Sequence, residues 1–240
     1  MAESTTTGER VLVTGANRGI GLEFVRQYAE RGARVFAGCR NPDAAGFLST
    51  LVSRRPGNVE VVQLDVTQRE SIDAAINHIA LDGDGSLDTL INNAGTSPRG
   101  EEFSNLQTAA MAAVLEVNAI APLIVAQRAH RLLVHSSRPR IVNISSSMGS
   151  LTHKESGRHY SYCASKAALN MLTRAAAHDL APEGMLMVAL HPGWVQTDLG
   201  GSAADLTPTE SVSDMLGVID GLSASDSSRF LTRQGEEHPW

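Results

Sequence analysis

Apolar residues along the chain fall into short β-branched runs separated by longer stretches with helical spacing, and the two kinds alternate from end to end. Val11–Thr14 runs into a glycine-rich turn and then into Ile20–Arg31, whose apolar positions keep helical spacing up to Gly32. Strand-like runs recur at Arg34–Gly38, Val59–Leu64, Leu87–Ile91, Arg140–Ile144 and Met185–Leu190, with helix-like segments between them. A last helix is expected over Thr209–Leu222, then a short strand over Ser228–Thr232 and a polar tail ending in Pro239 and Trp240. Such βαβα order predicts an α/β protein: a doubly wound parallel sheet in a three-layer αβα arrangement, because parallel strands need crossover helices that cover both faces. No internal repeat or linker interrupts the pattern, so residues 1–240 are expected to form one domain. The loop Gly200–Pro208, rich in Gly, Ser, Ala and Asp, is expected to act as a mobile lid.

At 240 residues and 42% hydrophobic composition, the chain can bury one sizeable core. A net charge of -6 removes the basic footprint that nucleic acid or an anionic membrane surface would require. The N-terminal stretch shows no apolar leader and no run long enough to cross a bilayer is evident, which points to the cytoplasm. Cys39 and Cys163 lie too far apart in sequence to suggest a disulfide framework or a thiolate pair, and the eight histidines show no ligand spacing. No metal site is expected.

Candidate chemistry begins at Thr14-Gly15-Ala16-Asn17-Arg18-Gly19-Ile20-Gly21, where the first strand gives way to the first helix. Glycines there let the backbone turn sharply and approach a pyrophosphate, whose charge is met by N–H groups at the helix N-terminus. The second strand ends in Cys39-Arg40, without the acid that would bond the ribose 2′-hydroxyl of NAD. Arg40 and Arg18 instead offer two guanidinium groups to a 2′-phosphate, so NADPH is preferred over NADH. Further on, Tyr162 and Lys166 are four residues apart and project from one face of a helix, whereas the residue four beyond Tyr160 is Ala164. A cation beside a phenol lowers its pKa by roughly one to three units, which would bring Tyr162 toward acid–base work near neutrality. Cys163 points about 100° away around that helix and is read as a packing thiol.

Six motifs keep a common order and spacing: the glycine turn, Leu64-Asp65-Val66-Thr67, Asn92-Asn93-Ala94-Gly95, Asn118, the Ser145-Ser146-Ser147 strand end with Tyr162 and Lys166, and His191-Pro192-Gly193. In these the sequence resembles the short-chain dehydrogenase/reductase superfamily, whose members have a single-domain Rossmann fold. TGANRGIGLEFVRQYAERG and HPGWVQTDLGG are most similar to the C-factor and sniffer-type carbonyl reductase subgroup.

The resemblance implies a cofactor site for NADP(H) built from Gly15, Asn17, Arg18, Gly19, Ile20 and Arg40. Asp65 would accept from the adenine amino group with the Val66 backbone alongside, and Asn92, Ala94 and Gly95 would let the backbone pass close to the adenosine ribose and stabilise the sheet. Pro192, Gly193, Val195 and Thr197 would border the nicotinamide. It further implies that Tyr162 donates a proton to a carbonyl oxygen, that Lys166 bonds the nicotinamide ribose, and that Ser146 polarises the carbonyl while Ser145 and Ser147 support it. Asn118 would bend its helix and relay protons through water to the lysine. The Ser146-to-Tyr162 spacing is a few residues longer than usual, the excess falling in Leu151–His159, which would put His153, Lys154 or His159 near the mouth of the site.

Met148, Leu151, Trp194 and Leu199 are expected to line an apolar substrate pocket. The activity so implied is NADPH-dependent reduction of the carbonyl of a small or medium substrate to an alcohol. A nucleotide-binding signalling protein of C-factor type is the alternative, and a dehydratase or epimerase a more distant one. A homodimer, or a tetramer, would form through the helices carrying Asn118 and Tyr162, where Ala109–Ala113 and Ala175–Ala177 allow close packing.

Overall fold

The structure is a computed structural model, and it describes residues 8–54 and 57–240. The N-terminal stretch 1–7, part of the segment inspected for a leader, lies outside the described residues. The elements run β1 (Arg10–Thr14), α1 (Gly19–Glu30), β2 (Arg34–Cys39), α2 (Gly46–Arg54), β3 (Val59–Gln63), α3 (Arg69–Ala80) and β4 (Thr89–Asn92). They continue with α4 (Thr108–Leu115), α5 (Ala121–Leu133), β5 (Arg140–Ile144), α6 (Tyr160–Leu180), β6 (Leu186–His191), α7 (Pro208–Gly221) and β7 (Phe230–Thr232).

Seven strands form one sheet in the order β3-β2-β1-β4-β5-β6-β7, and every neighbouring pair is parallel. The two-residue period of each strand divides its side chains between two cores. Val11 and Val13 of β1, with Val35, Ile91, Val142 and Val188, pack under Phe24 and Tyr28 of α1 and Met215 and Ile219 of α7. Leu12, between them in sequence, points to the opposite face and joins Phe36, Leu90 and Ile141 under Ile72, Ile76 and Ile79 of α3 and Val125 and Ala129 of α5. Strands buried on both faces explain why the sequence shows continuous apolar runs instead of alternation.

Element ends move where a different bond wins. The expected strand at Leu87–Ile91 begins later, because Leu87 N–H donates to Leu132 O (3.2 Å) and Asp88 N–H to Arg10 O (2.9 Å) before the β4 ladder starts. Ser228 takes φ 67° and shortens the last strand to Phe230–Thr232.

The expectation that no run could span a bilayer needs correction. The continuous helix Thr108–Leu133 is long and apolar enough by length and composition, with 39% of its most apolar window buried in the fold. Its α5 half is a core helix, burying Val125, Ala126, Ala129, Leu132 and Leu133. The expected lid, Gly200–Pro208, is tied back by Gln196 N–H to Leu206 O (2.8 Å), Leu206 N–H to Trp194 O (3.1 Å) and the Trp194 indole N–H to Gly200 O (2.8 Å).

Candidate active site

The sheet order reverses direction between β1 and β4, whose following connections leave toward opposite faces, so a crevice opens at their carboxyl ends. It holds a cavity of 1520 Å³. Gly15, Asn17, Arg18, Gly19, Ile20, Arg40, Asp65, Val66, Ala94 and Gly95 line one part, while Ser146, Met148, Tyr162, Lys166, Pro192, Gly193, Trp194, Val195, Thr197 and Leu199 line the rest. Three expected residues are elsewhere: Asn92, Asn118 and Leu151 are not on its wall.

Thr14 and Asn93 sew the two strand ends together. The Thr14 hydroxyl accepts from the N–H groups of Asn93 (3.0 Å) and Ala94 (3.1 Å), and the Asn93 amide donates to Thr14 O (3.0 Å) and Gly15 O (3.1 Å). Gly15 has φ 64°, and a Cβ on it would lie 2.8 Å from the Ala94 Cα, so only glycine permits this approach. Helix α1 starts at Arg18 without a side-chain cap or an acid in its first turn. Its first amides are therefore left to a ligand, which fits the phosphates of a dinucleotide.

Arg18 and Arg40 both reach the cavity, but Arg18 pairs there with Asp198 at 2.7 Å, both side chains being about two-thirds exposed. Asp65 Oδ1 accepts from the Thr67 N–H (3.0 Å) and hydroxyl (2.8 Å), which stiffens the turn after β3. Asn92 has the sheet-stabilising role expected of it, with its side chain off the cavity wall. Its buried amide donates to Pro122 O (3.0 Å) and Asn143 Oδ1 (2.9 Å), joining β4 to β5 and α5 beneath the site. Thr197 also spends its hydroxyl locally, donating to Val195 O (3.3 Å) and accepting from Gly200 N–H (3.0 Å).

The opposite wall is set by α6 pressing on the turn after β5. A Cβ on Gly149 would stand 2.7 Å from the Lys166 carbonyl carbon, so this glycine is what lets the turn and helix touch. Lys166 is buried and donates from Nζ to Ile144 O at 2.8 Å, and the same nitrogen lies 5.7 Å from the Tyr162 ring centroid. The ammonium thus faces the ring and the β5 carbonyl. This overturns the expected lowering of the tyrosine pKa by the lysine: burial pushes the Tyr162 phenol above its ordinary value, and only the Ser146 hydroxyl pulls the other way. Burial also lowers Lys166 to about 8.

Ser146 is the middle serine of the turn, its Oγ accepting from Met148 N–H at 3.2 Å. Ser145 instead donates to Asn170 Oδ1 (2.6 Å) inside the core. Asn118 sits in a π-helical turn, Glu116–Ile120, between α4 and α5, so the helix is distorted where expected. Its amide, however, clamps Thr96, accepting from Thr96 N–H and donating to Thr96 O at 2.8 Å each, with a further bond to Ser165 Oγ (3.0 Å). The side chain is used structurally. Leu151 is 80% exposed on the longer loop, because that loop turns outward before α6. Of the three charged or polar candidates there, His159 alone lines the cavity.

Glu101 was missed by sequence reasoning. This buried carboxylate accepts from Ser161 N–H (2.7 Å) and from the Ser161 hydroxyl, so the loop after β4 caps α6 one residue before Tyr162. Sixty residues separate the partners, and no local pattern announces the pair. Asp198 and Arg99, which touch across the cavity rim at 3.4 Å, were missed for the same reason. Among the described residues no group of three His, Cys, Asp or Glu side chains is placed to hold a metal ion.

The short chain dehydrogenase family model matches residues 9–206, and the chain belongs to that family of oxidoreductases. An NADPH-bound carbonyl reductase from chicken fatty liver superimposes with a TM-score of 0.92 at 41% identity, covering 97% of this chain and 99% of the other. The carbonyl reductase Sniffer of D. melanogaster superimposes with a TM-score of 0.91 at 30% identity, covering 97% and 99%. The C-signal protein of Myxococcus xanthus is 46% identical over 156 residues, 65% of this chain and 94% of its own length.

Glu101→Ala leaves the first turn of α6 without its buried acceptor and should lower unfolding stability by about 1–3 kcal/mol in urea titration, with Glu101→Gln losing less. Lys166→Met tests the cost of the buried cation. The unfolded lysine holds its proton to 10.5 and the folded one to about 8, so the unfolded chain binds more protons between those values and this group's contribution to stability rises with pH across that window. At neutral pH the buried charge is a net penalty, and the methionine variant should be more stable by roughly 1–3 kcal/mol. A less stable variant at pH 7 would contradict that account.

Proposed function

We propose that the protein reduces the carbonyl group of a small or medium-sized compound to an alcohol with NADPH. What supports this most is one juxtaposition: Ser146, Tyr162 and Lys166 share a cavity with a glycine cradle flanked by Arg18 and Arg40. The cradle and the first amides of α1 would hold the cofactor phosphates, and the two arginines would meet a 2′-phosphate, Arg18 exchanging Asp198 for it. NADPH, when bound, supplies the hydride. Ser146 would donate its hydroxyl hydrogen bond to the substrate carbonyl, and Tyr162 would give the proton to the same oxygen. Burial keeps the Tyr162 phenol protonated, the state a proton donor needs for reduction. Lys166 would hold the cofactor ribose, leaving the Ile144 carbonyl to do so. Met148, Trp194 and Leu199 give the substrate end an apolar wall, and Trp194 and Leu199 are about half exposed, which suits an open and tolerant site.

The alternative is a signalling role with little turnover, favoured by the 46% identity to the C-signal protein. Retention of serine, tyrosine and lysine in one cavity weighs toward catalysis, because binding alone does not need a proton donor. We also propose that the protein works in the cytoplasm, as cell fractionation would show, and as a homodimer. Exposed Ile120 and Met171, on the helices carrying Asn118 and Tyr162, would be covered by a second copy; sedimentation should then give twice the 25.5 kDa chain mass.

Loss of NADPH absorbance against a panel of aldehydes, ketones and diketones tests the activity. Turnover should fall by about 10²–10⁴-fold in Tyr162→Phe with NADPH binding kept, and Arg40→Glu should weaken NADPH at least about tenfold while sparing NADH. Tight NADPH binding without turnover on any carbonyl would shift the weight to signalling.

A further inference from the structure

His191 closes β6 immediately before Pro192 and Gly193, and none of the roles above uses its ring. Its Nδ1 accepts from the Ser147 backbone N–H at 3.2 Å. One rung earlier the Ser145 N–H donates to the Leu190 carbonyl at 2.8 Å. The next ladder acceptor in register would be the Pro192 carbonyl, but that oxygen accepts from the Ser211 hydroxyl of α7 at 2.7 Å while the Ser147 N–H turns to the imidazole. The imidazole therefore supplies the missing rung. Ser146 lies between two residues pinned to β6, one by a backbone carbonyl and one by this ring.

From this geometry we propose that His191 is a positioning residue for carbonyl reduction, its neutral imidazole extending the β5–β6 ladder by one bond so that the Ser146 hydroxyl is held at the reaction centre. The inference rests on the reductase reading. Nδ1 must carry a lone pair to accept, and an imidazolium would present a donor to the Ser147 N–H and break the rung. The surroundings keep the ring neutral. It is half-buried, His238 of the C-terminal tail lies edge-on at 5.7 Å between centroids, and Arg233 follows β7 nearby, paired with Asp214 of α7. His153 of the longer loop stands behind His238 at 5.2 Å. Burial first, then His238 and Arg233, lower His191 to about 4.

The unfolded histidine binds its proton near 6.5 and the folded one near 4, so the stabilising share of the neutral ring is complete above 6.5 and is lost as pH falls toward 4. Asparagine places an acceptor oxygen near the position of Nδ1 and does not titrate, glutamine places it one bond further out, and phenylalanine keeps a ring without an acceptor. We expect His191→Asn to keep kcat within about threefold of the wild type at neutral pH and to lose its share of the acid fall in stability. His191→Gln and His191→Phe should lower kcat on the order of tenfold or more with NADPH affinity unchanged.

Hydrogen exchange at the Ser147 amide, measured by NMR, gives a readout independent of turnover: protected in wild type and His191→Asn, exposed in the other two. Wild-type kcat in His191→Phe and His191→Gln, or equal impairment of His191→Asn, would overturn the proposal. Should the wild type bind NADPH and reduce nothing, the reductase reading fails and positioning for reduction falls with it. The Ser147 exchange pattern would then still separate that failure from the absence of the rung itself. If the phenylalanine variant does not fold, the asparagine and glutamine pair decides alone.

Discussion

Everything at this site depends on the reversal of strand order between β1 and β4. Neighbouring parallel strands whose connections leave toward opposite faces cannot close their carboxyl ends with a single loop, and the gap between them becomes a cavity. Thr14 and Asn93 keep that gap from splaying by bonding one strand end to the other. Gly15 lets the two ends approach without a Cβ between them. The rest of the site hangs on this frame: β5 and β6, further along the same sheet, present Ser146 and the Pro192–Gly193 segment to the cavity.

Burial governs the electrostatics on the reacting side. Tyr162 is driven toward its neutral form, Lys166 toward deprotonation and His191 toward a neutral acceptor, all by the same desolvation. A neutral phenol suits proton donation, and a lysine whose ammonium rests on the Ile144 carbonyl is poised to be drawn away by a better partner. The polar network below, from the Pro122 carbonyl through Asn92 and Asn143 to Thr173, fixes β4, β5 and α6 against one another at the cost of burying amides in the core.

Much of this was legible in the chain itself. The βαβα order, the glycine turn and the Tyr162–Lys166 spacing are local patterns, and local patterns survive in a linear sequence. Ser146 is singled out by the family resemblance alone, since three adjacent serines look alike in the chain; the Asn170 partner of Ser145 and the ring partner of Ser147 separate the three in space. What could not be read were relations across long separations: Glu101 capping α6 and Asp198 facing Arg18. The direction of the Tyr162 shift was missed because spacing places Lys166 on the right helical face without saying where its terminal nitrogen points. Leu151 was misplaced because an outward loop cannot be told from an inward one by composition.

The most direct measurement is isotopic. NADPH carrying deuterium at the transferable C4 position, incubated with the protein and a carbonyl compound, should yield an alcohol with the label on the carbinol carbon, and Tyr162→Phe should yield almost none. Tight binding of the labelled cofactor with no label in any product would contradict the account of the cavity as a reductase site.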